Sequence, residues 1–108
     1  MKIHYRQFIK IDDILMEIKE LDLDTDEKKS CLELIDDIFY HKMLEKILSE
    51  LKNEEDKIVF LRKAVSEPVE EAVEFLREKV ASFEEKVSGD LNGLRGEIIE
   101  DLRALRRI

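Results

Sequence analysis

The segment VEEAVEFLREKVASFEEKVSGDLNGLRGEIIEDLRALRRI, residues 69–108, decides the fold, because apolar side chains recur along it at a helical period. Their mean spacing is about 3.6 residues, which is the repeat of an α-helix with one apolar face. This stripe consists of Val69, Val73, Leu76, Val80, Phe83, Val87, Leu91, Leu94, Ile98, Leu102 and Leu105. Since the stripe keeps its phase throughout, we predict one continuous amphipathic helix from about residue 68 to residue 107.

The glycines of the chain qualify this prediction. All three of them, Gly89, Gly93 and Gly96, lie within the segment. They fall on the side of the helix opposite the stripe, and each costs about 1 kcal/mol relative to alanine. Three explanations stay open: a break at Gly89 with Asp90 capping a new helix, a continuous helix that tolerates its glycines, or a smooth face for a second backbone. The alternative to a continuous helix is therefore an interruption near Gly89–Gly96.

The start of the long helix is indicated by SEPVEE, residues 66–71. Ser66 or Glu67 suits the N-cap position, and Pro68 suits the first turn, where its missing N–H costs nothing.

Three shorter helices are predicted upstream. The first begins near Asp12, and the third follows Asn53, a favourable N-cap. The apolar face of the third helix consists of Ile58, Leu61, Ala64 and Val65. Residues 2–11 fit either a short strand or the fraying start of a helix.

The second of these helices is expected to run from about 26 to 52. It begins either at a capping box formed by Asp24 and Glu27 or at a cap by Thr25. Its apolar residues do not stay on one face, so the ridge they form winds around the axis. Either the helix kinks near Tyr40–His41, or its two ends pack against different partners. Both explanations make it the central helix.

The chain is therefore expected to be an all-α single domain. A helical unit of three shorter helices, residues 1–66, precedes the long amphipathic C-terminal helix, residues 67–108. A length of 108 residues suits one domain, and the single proline and three glycines favour helices over a sheet.

The charge of the chain bears on its partners. There are 27 acidic against 19 basic residues, and residues 12–37 hold eleven acidic and three basic ones. Such a surface repels nucleic acid but suits a basic protein. A further acidic row consists of Glu67, Glu71, Glu74, Glu78 and Glu85. No run approaches 18 apolar residues and Cys31 is the only cysteine, so we expect no membrane contact and a cytoplasmic location.

Two patterns resemble metal sites. Residues 22–33, DLDTDEKKSCLE, place acids at calcium-loop positions, but Glu27 stands where glycine is needed and Lys29 where an apolar residue is needed. A capped helix start explains the same residues better. The row Glu33, Asp37, His41 and Glu45 has i+4 spacing, yet suits a charged helix surface. Cys31 lies among apolar residues and is expected to be a packing thiol.

We therefore expect no catalytic residue, no metal and no cofactor, and the chain is predicted not to be an enzyme. A helix of forty residues spans about 60 Å, so its stripe must either fold back on the core or be covered by a second copy. The sequence favours a structural or interaction module whose long helix mediates self-association, as a homodimer, or binding to a partner protein. The expected interface consists of Leu76, Val80, Phe83, Val87, Leu91, Leu94 and Ile98. The alternative is a small acidic inhibitor that occupies the basic site of another protein.

Overall fold

The structure is a computed structural model that describes residues 3–66 and 68–107, and within these ranges its regular structure is entirely helical. The elements are a 3-10 helix at Tyr5–Gln7, α1 at Asp12–Lys19, α2 at Thr25–Glu50, α3 at Glu54–Ala64, α4 at Glu70–Lys79 and α5 at Phe83–Arg106. The predicted class, shorter helices followed by a long amphipathic C-terminal helix, is confirmed.

Side-chain caps begin α2 and α3 where the sequence predicts them. The Glu27 N–H donates to Asp24 Oδ1 at 2.8 Å, and the Asp24 N–H donates to Glu27 Oε1 at 3.0 Å, which completes a capping box. At α3, the Asp56 N–H donates to Asn53 Oδ1 at 2.8 Å. These bonds satisfy amide groups that have no partner inside the helix.

The central helix is α2, which is uninterrupted through Tyr40–His41. Its buried ridge consists of Ile35, Phe39, Met43 and Ile47, and Leu51 continues it beyond the helix end. The ridge winds because α2 packs against α1, α5 and the 3-10 helix. Different partners along its length therefore explain its pattern.

Helix α5 runs antiparallel to α2. Lys86 Nζ lies 3.4 Å from Glu50 Oε2 near the end of α2, and Lys42 Nζ lies 4.0 Å from Asp90 Oδ2 further back. The N-terminal segment is attached to the same helix, since Ser88 Oγ donates to the carbonyl of Phe8 at 3.0 Å. The chain thus closes into one buried cluster around α2.

The predicted continuous helix from 68 to 107 is wrong. Helix α4 ends at Lys79, Val80 is extended, and Ser82 has φ 55° and ψ 38°, which is the left-handed region. The stripe keeps its phase because both helices contribute to one core, where Leu76 and Phe83 are both buried. A regular period therefore continues across a break between two helices.

The alternative interruption near Gly89–Gly96 is not formed either. All three glycines lie inside α5, and their φ values are negative. A Cβ added at any of them would meet nothing within 4 Å. The helix is continuous through its glycines.

The start of the C-terminal region also differs from its prediction. Helix α4 begins at Glu70, two residues after Pro68, and Val69 at its N-cap makes no side-chain capping bond. Ser66 Oγ instead donates to the carbonyl of Arg62 at 2.8 Å, so it ends α3 rather than starting α4. The other proposed cap, Glu67, lies outside the described residues.

Replacing a glycine of α5 with alanine should stabilise the fold. Gly93→Ala places a methyl group in open space, and alanine also has less conformational freedom than glycine in the unfolded chain. The free energy of unfolding should therefore rise by about 0.5–1 kcal/mol. Urea denaturation followed by circular dichroism measures the difference. The matched control, Ala104→Gly at an exposed position of the same helix, should lose a similar amount; a loss in Gly93→Ala would contradict this account.

Replacing Ser82 with glycine should also be stabilising. A left-handed conformation costs a non-glycine residue about 1–2 kcal/mol, and Ser82→Gly removes this strain, partly offset by the greater entropy of unfolded glycine. We expect a gain of up to about 1 kcal/mol in the same denaturation experiment. Ala81→Gly, at the neighbouring residue without a positive φ, should give no gain. Equal effects at both positions would contradict backbone strain specific to Ser82.

Candidate functional site

The seven predicted interface residues lie in or against the core of their own chain. Leu94 is half-buried, and the others are at most 8% exposed. Those six are Leu76, Val80, Phe83, Val87, Leu91 and Ile98. Because α5 packs on α1 and α2, one chain covers its own stripe. Binding a partner through these residues requires α5 to separate from α2.

A second apolar surface stays exposed beside that contact. Leu34 and Ile38, four residues apart on α2, are 62% and 41% exposed. Ile38 and Leu94 line one depression between α2 and α5, and Leu34 lines another with Leu23 and Cys31. We call the surface that these two depressions and their neighbour at Gly89–Gly93 form the α2–α5 groove. Leu34 and Ile38, one helical turn apart, join the two depressions along α2 and form its apolar floor.

The rim of the α2–α5 groove is predominantly acidic. Six carboxylates line the depressions that form it: Asp26, Glu27, Asp37, Glu45, Asp90 and Glu97. Lys42 lies among them, with its Nζ 4.0 Å from Asp90 Oδ2. His41 also lies on the rim, and its Nδ1 is 2.8 Å from the carbonyl oxygen of Asp37. The groove therefore combines an apolar floor with negative charge.

Two of the α5 glycines lie at the edge of this groove. Gly89 and Gly93 line a depression together with Lys42, Leu94 and Glu97. Without side chains at these two positions, the backbone of α5 is uncovered beside the apolar floor. A helix resting in the groove meets little steric resistance on this side.

A separate apolar surface lies on α3. Ile58, Leu61 and Val65 are 49%, 42% and 65% exposed, whereas Phe60 and Ala64 are fully buried. Of the predicted apolar face, only Ala64 is buried, and Phe60, which widens that face, is buried beside it. The period of the sequence shows that a face is apolar, but not what covers it. We call Ile58, Leu61 and Val65 the α3 face.

Several acids of the 12–37 block are paired within the chain. Glu17, at the surface of α1, accepts from Arg103 at 3.0 Å and from Arg106 at 3.1 Å. Asp24 is used by the capping box, and Asp36 binds Tyr5 and Arg6. These carboxylates hold elements of the fold together, which lowers the charge that the block offers to a partner.

The other predicted acidic row is divided by the break between α4 and α5. Glu71, Glu74 and Glu78 are exposed on α4, and Glu85 is exposed on α5. Glu67 lies outside the described residues.

The calcium-loop pattern adopts the conformation of a capped helix. Since α2 begins at Thr25, residues 25–33 are helical, and Glu33 is carried away from Asp22. Among residues 3–66 and 68–107, no three side chains of His, Cys, Asp or Glu are grouped to hold a metal ion. Cys31 is half-buried beside the groove. In the same ranges, no helix is both long and apolar enough to cross a membrane.

A buried tyrosine that the sequence analysis missed joins the N-terminus to α2. Tyr5 is fully buried, stacks on Phe39 with 4.8 Å between ring centroids, and donates a hydrogen bond to Asp36 Oδ1. Burial of the phenol, and then its bond to the Asp36 carboxylate, raises the pKa of Tyr5 to about 12. The only sequence signal was the alternation of apolar residues in the segment 3–11.

Comparison with known protein families, curated proteins and solved structures finds no match to this chain.

The titration of Tyr5 tests the buried bond. Because its pKa is higher in the folded chain than its ordinary 10.0, the neutral phenol stabilises the fold below pH 10, and this contribution is lost as the pH rises toward 12. In Tyr40→Phe, Tyr5 is the sole tyrosine, and its ultraviolet absorbance should titrate near pH 12. The same variant unfolded in guanidinium should titrate near its ordinary value. Titration of the folded variant near pH 10 would contradict a buried hydrogen bond between Tyr5 and Asp36.

Proposed function

We propose that this chain is a non-catalytic interaction module that binds a basic amphipathic helix of another protein in the α2–α5 groove. The observation that carries the proposal is an exposed apolar floor with an acidic rim, beside a stripe that the chain already covers itself.

The apolar floor would supply the affinity. Leu34 and Ile38 are 62% and 41% exposed, so burying the rest of each contributes roughly half of the about 1.5–3 kcal/mol of a fully buried side chain. The depressions of the groove span α2 from Asp26 to Glu45, which corresponds to about 30 Å. A partner helix of about 20 residues matches this length, with apolar anchors spaced by three, four and seven residues.

The acidic rim would set the orientation of the partner helix and the specificity of its binding. Asp37 and Glu45 flank Ile38 on α2, and Glu97 lies across the groove on α5. Lysine or arginine residues beside the apolar ridge of the partner would meet these carboxylates. Such pairs accelerate encounter and disfavour acidic partners, and added salt weakens them.

An acidic inhibitor of a basic protein is the nearest alternative, and the two functions differ in what the apolar floor contributes. An inhibitor that works by charge alone needs carboxylates but not Leu34 or Ile38. The internal pairing of Glu17 with Arg103 and Arg106, and of Asp36 with Arg6, favours the groove, since those carboxylates already have cationic partners.

A paired substitution separates these functions. The probe is a synthetic helical peptide of about 18 leucine and lysine residues with one apolar face, fluorescently labelled. Leu34→Ser with Ile38→Ser should weaken its binding at least about tenfold in fluorescence anisotropy, because the floor is lost while the net charge is unchanged. The matched control, Ile58→Ser with Val65→Ser on the α3 face, should change binding less than about twofold.

Unchanged binding by the groove variant would overturn the proposal and leave attraction by charge alone. Equal weakening by both variants would overturn it too, since the peptide would then bind any exposed apolar surface. A peptide in which glutamate replaces lysine should not bind; its binding would contradict the role of the rim.

A further inference from the structure

We infer that the α3 face binds the α3 face of a second copy of this chain, with the two helices antiparallel. The inference rests on α3 alone and does not depend on the proposed groove function.

The direction of the α3 face carries the first part of this inference. At 100° per residue, Ile58, Leu61 and Val65 lie within about 60° of one another and centre about 110° from Phe60 and Ala64. All three are more than two-fifths exposed, although α3 packs against α4. A short helix with two apolar sides packs one side against its own chain and leaves the second side available to pack against another helix.

Charge on α3 favours another copy as the second helix. The last turn is basic, with Arg62 and Lys63, and the first turn is acidic. Glu54 of that turn pairs with Lys57 and Asp56 pairs with Lys79, so Glu55 carries the acidic charge that faces a partner. Antiparallel pairing brings the acidic end of each copy toward the basic end of the other and opposes the two helix dipoles. Parallel pairing would instead bring like charges together.

Two exposed residues define the pairing most closely. Glu55 and Arg62 are seven residues apart, so both lie on the same flank of the α3 face. About a two-fold axis near the middle of α3, Glu55 of each copy lies toward Arg62 of the other, and Ile58 toward Leu61. The same contact then occurs twice, as in an isologous dimer.

The short length of α3 limits the strength of the dimer. Eleven residues span about 16 Å, so two such helices bury less than the usual 800 Å² or so per partner of a stable complex. The dimer is therefore weak and depends on concentration.

The test is sedimentation equilibrium of the whole chain from about 10 µM to 1 mM. The apparent mass should rise from one chain toward two across this range. Leu61→Glu should stay at the mass of one chain, with helicity unchanged by circular dichroism. The matched control, Leu34→Glu on the exposed side of α2, should dimerise like the parent chain. A constant mass of one chain in the parent, or dimers in Leu61→Glu, would overturn the inference.

Charge exchange tests the antiparallel direction. Glu55→Arg alone and Arg62→Glu alone place like charges together and should each weaken the dimer several-fold, whereas the two changes combined should restore it. Failure to restore the dimer would overturn the antiparallel pairing. The groove variant Leu34→Ser with Ile38→Ser should dimerise normally, so failure of the groove proposal and failure of this one are distinguishable.

Discussion

The contact between the winding ridge of α2 and α5 is the interaction on which the rest of the structure depends. Phe39 and Met43 on α2 and Val87 and Leu91 on α5 are at most 1% exposed. Each such side chain contributes about 1.5–3 kcal/mol on burial, so together they exceed the roughly 3 kcal/mol that three glycines cost a helix. Tertiary packing of this kind keeps a helix intact where its local propensity is poor. Continuity of α5 follows from its burial rather than from its composition.

That contact follows an interruption of the helix before α5 begins. Val80 and Ser82 interrupt it, and the left-handed conformation of Ser82 is the local cost. With α5 packed on α2, most of the stripe is buried inside one chain, and Leu105 near its end is exposed. Both proposals concern two of the exposed apolar surfaces, the α2–α5 groove and the α3 face; Met16 on α1 is exposed as well.

Some local features were predictable, and the long-range arrangement was not. The caps at Asp24 and Asn53 depend on residues three positions apart, so the sequence predicts them, whereas the cap predicted at Ser66 is not formed because its hydroxyl bonds back to Arg62. The break at residues 80–82 contains no glycine, proline or asparagine, and the apolar period continues across it. The α2–α5 groove pairs Ile38 with Leu94, and only the tertiary fold brings those two residues together. Which apolar residues of α3 are buried depends on the tertiary fold in the same way.

Small-angle X-ray scattering extrapolated to infinite dilution, with the mass taken from the forward intensity, tests whether one chain covers its own stripe. If α5 folds back on α2 of the same chain, the scattering mass is that of one chain and the radius of gyration is close to the 15.8 Å of the Cα atoms. A particle of two chains at infinite dilution, or one extended by a rod of about 60 Å, would contradict the account. The stripe would then be covered by another molecule or left in solvent.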